Sequence, residues 1–161
     1  YLNMIELKTS VALAASLQTG SILGGAGERN QNLLYDFGKK LGIAFQVQDD
    51  YLDAFGDPEK FGKQVGGDIL ANKKTFLLLH ALETASGSQK NELEVLLKNS
   101  TPDKVEKVLQ IFHDCKVDEW ALQLKNKYLD EAFEHLEDIA VLSKRKEPLR
   151  ELAHFLVKRE Y

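Results

Sequence analysis

Apolar residues recur along most of this chain at spacings of three and four, the period of an α-helix. The stretch 2–24 carries Leu2, Ile5, Val11, Ala12, Ala15, Leu17, Ile22 and Leu23. It is apolar on more than one face, which predicts a long helix buried between others. Gly24-Gly25-Ala26-Gly27 ends it. A second helix is predicted over 30–54, with Leu33, Leu34, Phe37, Leu41, Phe45 and Leu52 inward and Gly56-Asp57-Pro58 as its stop. From Glu59 to Asn72 glycines and lysines replace the periodicity, and the stretch reads as a loop of a length that usually carries function. Helical spacing returns over about 74–85, 88–98, 102–113, 118–141 and 146–159. Ser86-Gly87-Ser88 separates the first pair, and Thr101-Pro102 supplies an N-cap and a first-turn proline. Leu124, Tyr128, Ala132, Leu136 and Ile139 form a stripe that reads as core. No strand alternation, hairpin signal or repeat intervenes. The expectation is an all-α helical bundle, a single helical unit over 1–161, antiparallel where connections are short. No N-cap precedes Met4-Ile5, so the chain is expected to begin inside a helix, as a fragment would.

Composition narrows the function classes. The net charge of −4 and the absence of a basic run speak against a nucleic-acid surface. Cys115, the single cysteine, can form neither an internal disulfide nor a metal cluster and reads as a small residue near a helix end; it fits a reducing cytoplasm. No apolar run approaches the ~20 residues needed to span a bilayer, and acidic and polar residues interrupt the apolar ones from Tyr1 to Lys8, unlike a signal peptide. His80, His113, His135 and His154 each lack a second His at i+3 or i+4 and read as packed or surface residues.

The candidate chemistry is acidic, basic and glycine-rich in turn. Asp49-Asp50-Tyr51-Leu52-Asp53 closes an otherwise apolar helix. Asp49 and Asp53 share a face, with Asp50 to one side. Like charges at that spacing, at the helix end where the macrodipole favours cations, ask for a compensating positive charge. Hard carboxylate oxygens on a rigid element suit Mg²⁺, although the bare pattern also describes a solvated acidic turn. Lys8-Thr9 stands in the middle of the apolar first helix, where a lysine snorkels or finds an anion. Gly62-Lys63-Gln64-Val65-Gly66-Gly67-Asp68 and Asn72-Lys73-Lys74-Thr75 frame the loop. Glycines let backbone N–H groups approach phosphate, and lysines supply compact positive charge. Carboxylates for metal and lysines for phosphate make a complementary set.

Gly42-Ile43-Ala44-Phe45-Gln46-Val47-Gln48-Asp49-Asp50-Tyr51-Leu52-Asp53 resembles the second aspartate-rich motif of the polyprenyl synthetase family, the trans-isoprenyl diphosphate synthases. Lys8-Thr9 resembles the family's Lys-Thr pair, and Gly62-Lys63 through Gly67-Asp68 with Lys73 resembles its lysine-bearing lid loop. The resemblance covers the whole chain and implies the C-terminal part of the isoprenoid synthase fold. It implies that Asp49, Asp50 and Asp53 form one side of a Mg²⁺ cluster, with Asp49 the direct ligand. Lys8, Lys63 and Lys73 would bind the allylic diphosphate, and Thr9 and Gln46 would lie where the allylic carbocation develops. The implied reaction is ionisation of an allylic diphosphate, attack by isopentenyl diphosphate and loss of a proton to the released diphosphate. A homodimer of the full-length protein is implied as well.

The family's first aspartate-rich motif, the arginines after it and the residues that bind isopentenyl diphosphate have no counterpart in this chain. Half an active site, without turnover of its own, is therefore expected. Two further readings share the fold. Terpene cyclases usually carry an Asn/Ser/Glu metal motif in this half, so Asp49-Asp50-x-x-Asp53 favours chain elongation. A non-catalytic partner subunit of a synthase is the other, and intact Asp49, Asp50 and Asp53 speak against it. The basic end, Lys158-Arg159, is a weaker candidate for contact with isopentenyl diphosphate.

Overall fold

The computed structural model describes residues 2–57, 59, 65–99 and 101–157. Among them all regular structure is helical, as the apolar spacing predicts. The order is α1 (Leu2–Ile5), a π-helical turn (Glu6–Ser10), α2 (Val11–Leu23), α3 (Glu28–Phe55), α4 (Gly67–Leu70), α5 (Phe76–Thr84), α6 (Gly87–Lys98), α7 (Lys104–Asp114), α8 (Val117–Glu137) and α9 (Ser143–Val157). The described chain divides into two compact units, one of residues 2–46 and 124–157, the other of residues 47–123.

The first unit packs around Phe37, Leu41 and Ala44 of α3, Ala132 and Leu136 of α8, Ile139, and Ala153 and Val157 of α9. Of the predicted stripe, Ala132, Leu136 and Ile139 are core and Tyr128 packs against them, half-buried. Small residues let α3 press onto the preceding helical segment. A Cβ at Gly42 would lie 2.7 Å from the Cα of Ser10, and one at Gly38 would lie 2.8 Å from the Cα of Ala14. Residues 10 and 14 face 38 and 42, one helical turn apart on each side, so two bare glycines set the separation of the backbones. Lys40 reaches from α3 to Glu131 of α8 at 2.6 Å.

The unit also corrects two expectations. The segment 2–23 is not buried on all sides in this chain: Ile5, Ser10, Ala14 and Ser21 are buried, whereas Leu7 is 67% and Leu23 83% exposed. The helix read over 118–141 ends at Glu137. Lys146 is buried and donates to the Glu137 carbonyl at 2.5 Å, and Arg150 pairs with the Glu137 carboxylate. A cation on the last carbonyl and a second on the Glu137 carboxylate close α8. Lys144-Arg145-Lys146-Glu147 belongs to the opening of α9, and Pro148 lies inside that helix.

The second unit surrounds Ala54 of α3, Leu77, Leu78 and Ala81 of α5, Leu93 and Leu96 of α6, Val108, Ile111 and Phe112 of α7, and Val117 and Ala121 of α8. Thr75 caps α5, its Oγ1 accepting the Leu78 N–H at 3.3 Å, and Ser86 with Gln89 forms a capping box on α6. α7 starts later than Thr101-Pro102 suggests. Those residues form a turn in which the Thr101 carbonyl accepts the Lys104 N–H, and Asp103 spends its carboxylate on Lys107 at 2.6 Å. α4 lies inside the stretch read as a loop.

Candidate diphosphate and metal site

Asp49, Asp50 and Asp53 occupy the last two turns of α3, and the second unit gives the latter two different surroundings. Asp50 is buried, with its Oδ1 3.2 Å from the Lys73 ammonium. The same ammonium donates to Asp68 Oδ2 at 2.6 Å. Asp53 Oδ2 accepts the Asp68 backbone N–H at 2.8 Å, and the Asp53 carbonyl accepts the Gly66 N–H at 2.7 Å. Asp49 is half-buried. Among the described residues, Lys73 supplies positive charge to the acidic helix end through Asp50.

Electrostatics follow the geometry. Burial raises the Asp53 carboxyl above its ordinary range, and the charges of Asp68 and Asp49 add to it, against the Asp68 N–H and the Lys73 ammonium. For Lys73, burial opposes the charge. The hydrogen bond to Asp68 and the neighbouring carboxylates outweigh burial and hold the ammonium above its ordinary pKa.

The backbone that carries Lys73 is pinned. Gly66 has φ +83°, and a Cβ there would lie 2.5 Å from Val105 Cγ1, so only glycine turns the chain at this point. The Asp68 carbonyl accepts the Lys73 N–H at 2.9 Å. Asn72, at φ +53°, accepts from the Lys104 ammonium at 2.6 Å, and Lys104 is 1% exposed. A pocket lined by Asp68, Asn72, Lys73, Thr75, Val108 and Phe112 has a volume of about 10 Å³, room for one water and too little for a diphosphate.

Lys8, Thr9 and Gln46 belong to the first unit. Lys8 and Thr9 sit in the π-helical turn, where the Val11 N–H reaches back to the Glu6 carbonyl. Such turns interrupt α-helices frequently at functional positions. Glu6 pairs with Lys39 at 2.6 Å. Buried Ser10 seats the turn on Gly42, which explains the glycine that opens the acidic motif: it brings α3 against the Lys8-Thr9 turn. Gln46 is half-buried on α3. Lys63, Gly62, Lys158 and Arg159 lie outside the described residues.

The structure therefore brings Asp50, Asp53 and Lys73 together and gives individual contacts to two residues of the predicted loop that had no role of their own, Asp68 and Asn72. Asp68 had a signal, an acidic residue at the opening of a helical turn five positions before a lysine; the bond between Asn72 and Lys104 spans 32 residues and had none. Among the described residues no three acidic, His or Cys side chains already stand where they could jointly hold a metal ion. The donor set still fits Mg²⁺, which takes one or two carboxylates and completes its shell with water and phosphate oxygen.

Among the described residues an all-helical architecture sets an acidic helix end against a pinned lysine, which defines the class as an all-α protein with a carboxylate–lysine site. The polyprenyl synthetase family model matches residues 1–115, and the chain belongs to that family. It is 35% identical over all its 161 residues to a short chain isoprenyl diphosphate synthase of Methanothermobacter thermautotrophicus, covering 49% of that protein. It superposes on a crystal structure of a geranylgeranyl pyrophosphate synthase with TM-score 0.89 and 40% identity, over 100% of this chain and 51% of that one. On a polyprenyl synthase of Caulobacter crescentus, complexed with calcium and isoprenyl diphosphate, the TM-score is 0.90 at 29% identity, over 100% of this chain and 49% of that one. The chain spans about half the length of these relatives.

Proposed function

We propose that this chain carries one side of the active site of a prenyltransferase that condenses isopentenyl diphosphate with an allylic diphosphate. The observation that carries the reading is the Asp50–Lys73–Asp68 arrangement inside a motif shared with the family, on a fold that matches a synthase holding a divalent cation and an isoprenyl diphosphate. Asp49, Asp50 and Asp53 offer oxygen ligands to Mg²⁺, and bound Mg²⁺ supplies positive charge to the departing diphosphate. Lys8, Lys63 and Lys73 bind the same diphosphate and stabilise the negative charge that grows as its C–O bond breaks. Thr9 and Gln46 present oxygen dipoles to the allylic cation. The double bond of isopentenyl diphosphate attacks that cation, and the released diphosphate takes the proton. No side chain of this chain is needed as a general base. A homodimer of the full-length protein in the cytoplasm belongs to the same reading.

The test is titration of inorganic diphosphate into the full-length protein with and without Mg²⁺, followed by the condensation assay. Binding is expected to require the metal. Asp49→Ala is expected to weaken it and to lower turnover by about 100-fold or more, the scale of losing a major charge-stabilising group. Wild-type turnover in the Asp49→Ala variant would refute the assignment. Cyclic rather than elongated product would replace chain elongation with the cyclase reading.

A further inference from the structure

We propose that Asp68 is a positioning residue for Lys73: it holds the ammonium at the solvent edge of the acidic helix end, ready for a diphosphate, and Asp53 holds Asp68 in turn. The inference rests on the functional reading above and gives a specific task to Asp68, which that reading uses only as part of an arrangement.

Lys73 faces two carboxylates that differ in depth. The Asp50 side chain is fully buried, at 3.2 Å, whereas Asp68 is partly exposed, at 2.6 Å. A buried carboxylate attracts a cation more strongly than a solvated one, because the surrounding dielectric is lower. With Asp50 alone, the ammonium is drawn inward. Asp68 sits nearer solvent and supplies the shorter bond, so the ammonium stays at the boundary, with the Lys73 side chain 37% exposed. Lysine is a compact charge on a flexible four-carbon stem, and fixing its head before the ligand arrives removes an ordering cost from binding.

Asp68 can act as a fixed post because its own backbone is held on both sides. Its N–H goes to Asp53 Oδ2 and its carbonyl receives the Lys73 N–H. Gly67 lies against the same carboxylate, where a Cβ would come within 3.1 Å of Asp53 Oδ1. The far end of the segment is tied by Asn72 to buried Lys104. The sequence Asp53–Asp68–Lys73 thus transmits the position of α3 to the ammonium through hydrogen bonds alone.

A salt bridge that merely ties α4 to α3 would show the same distances, so the test reads coupling rather than loss. Inorganic diphosphate with Mg²⁺ is titrated calorimetrically into the full-length protein, Asp68→Asn, Lys73→Gln and the double variant. Asp68→Asn keeps the N–H that Asp53 holds, and its thermal unfolding is recorded alongside. Should it not fold, Asp68→Ser enters the same cycle. Asp68→Asn is expected to weaken binding roughly ten-fold, the scale of one charge-assisted hydrogen bond. In the Lys73→Gln background it is expected to cost nothing further. Equal losses in both backgrounds, or no loss in either, would overturn the role of Asp68. If the wild-type protein itself fails to bind magnesium diphosphate, the functional reading falls; binding with an additive cycle removes only Asp68.

Discussion

Gly66 holds φ +83° with Val105 against it, and both constraints act on one missing methyl group. Gly66→Ala is expected to lower stability by about 2–4 kcal/mol, from left-handed backbone strain of about 1–2 and overpacking of at least about 1. Val105→Ala in the same protein should return only the overpacking part, and urea denaturation of the single and double variants measures the division. Residue-scale surroundings also separate aspartates that the sequence treats alike. Asp50 is committed to Lys73 and Asp53 to the Asp68 N–H. The spacing pointed the acids toward Mg²⁺ and the loop lysines toward phosphate; that Lys73 itself pairs with Asp50 and Asp68 is set by the fold.

At the scale of elements, the helices that hold apolar spacing for three turns or more were legible, and their disputed ends have local causes. α8 stops where Lys146 and Arg150 meet Glu137, a contact made by residues of the next helix. α4 is four residues long, too short for periodicity to register, and is shaped by Gly66 and by the Asp53 carboxylate. The π-helical turn is similarly invisible to pattern, since five residues of widened helix shift the phase by only one position. One pair of elements offers a direct optical reading. His80 of α5 stacks on Trp120 of α8, rings 3.9 Å apart and within 3° of parallel. Burial lowers the His80 pKa, with the charge of Glu83 opposing, so the imidazole stays neutral below its ordinary value of 6.5. Trp120 is the only tryptophan. Its fluorescence is expected to fall on acidification with a midpoint below 6.5, and His80→Ala should abolish that transition. By linkage, His80 favours the fold most above the unfolded imidazole pKa, and this contribution fades as the pH falls through the unfolded and then the folded value.

For the whole molecule, the family and the all-α architecture were legible because their signals are local: helical spacing of apolar residues, and a dense acidic motif within one helix. Under the proposed function, the 161-residue chain, which spans about half the length of its relatives and carries one acidic motif of this form, is expected not to condense geranyl diphosphate with isopentenyl diphosphate by itself. Product formation by the purified chain alone would contradict this. No helix of the described residues is long and apolar enough to cross a membrane. The sequence by itself determined the helical class, the family, the acidic motif and the lysines that could answer it, because each depends on residues a few positions apart. Only the tertiary structure decided that Lys73 lies between Asp50 and Asp68, that Asp53 holds a backbone N–H, that Gly42 seats the Lys8-Thr9 turn, and that buried Lys104 ties down Asn72. Apart from the Lys73–Asp68 contact, five positions apart, each of those joins residues at least 15 positions apart, and chain folding rather than local periodicity sets which of them meet.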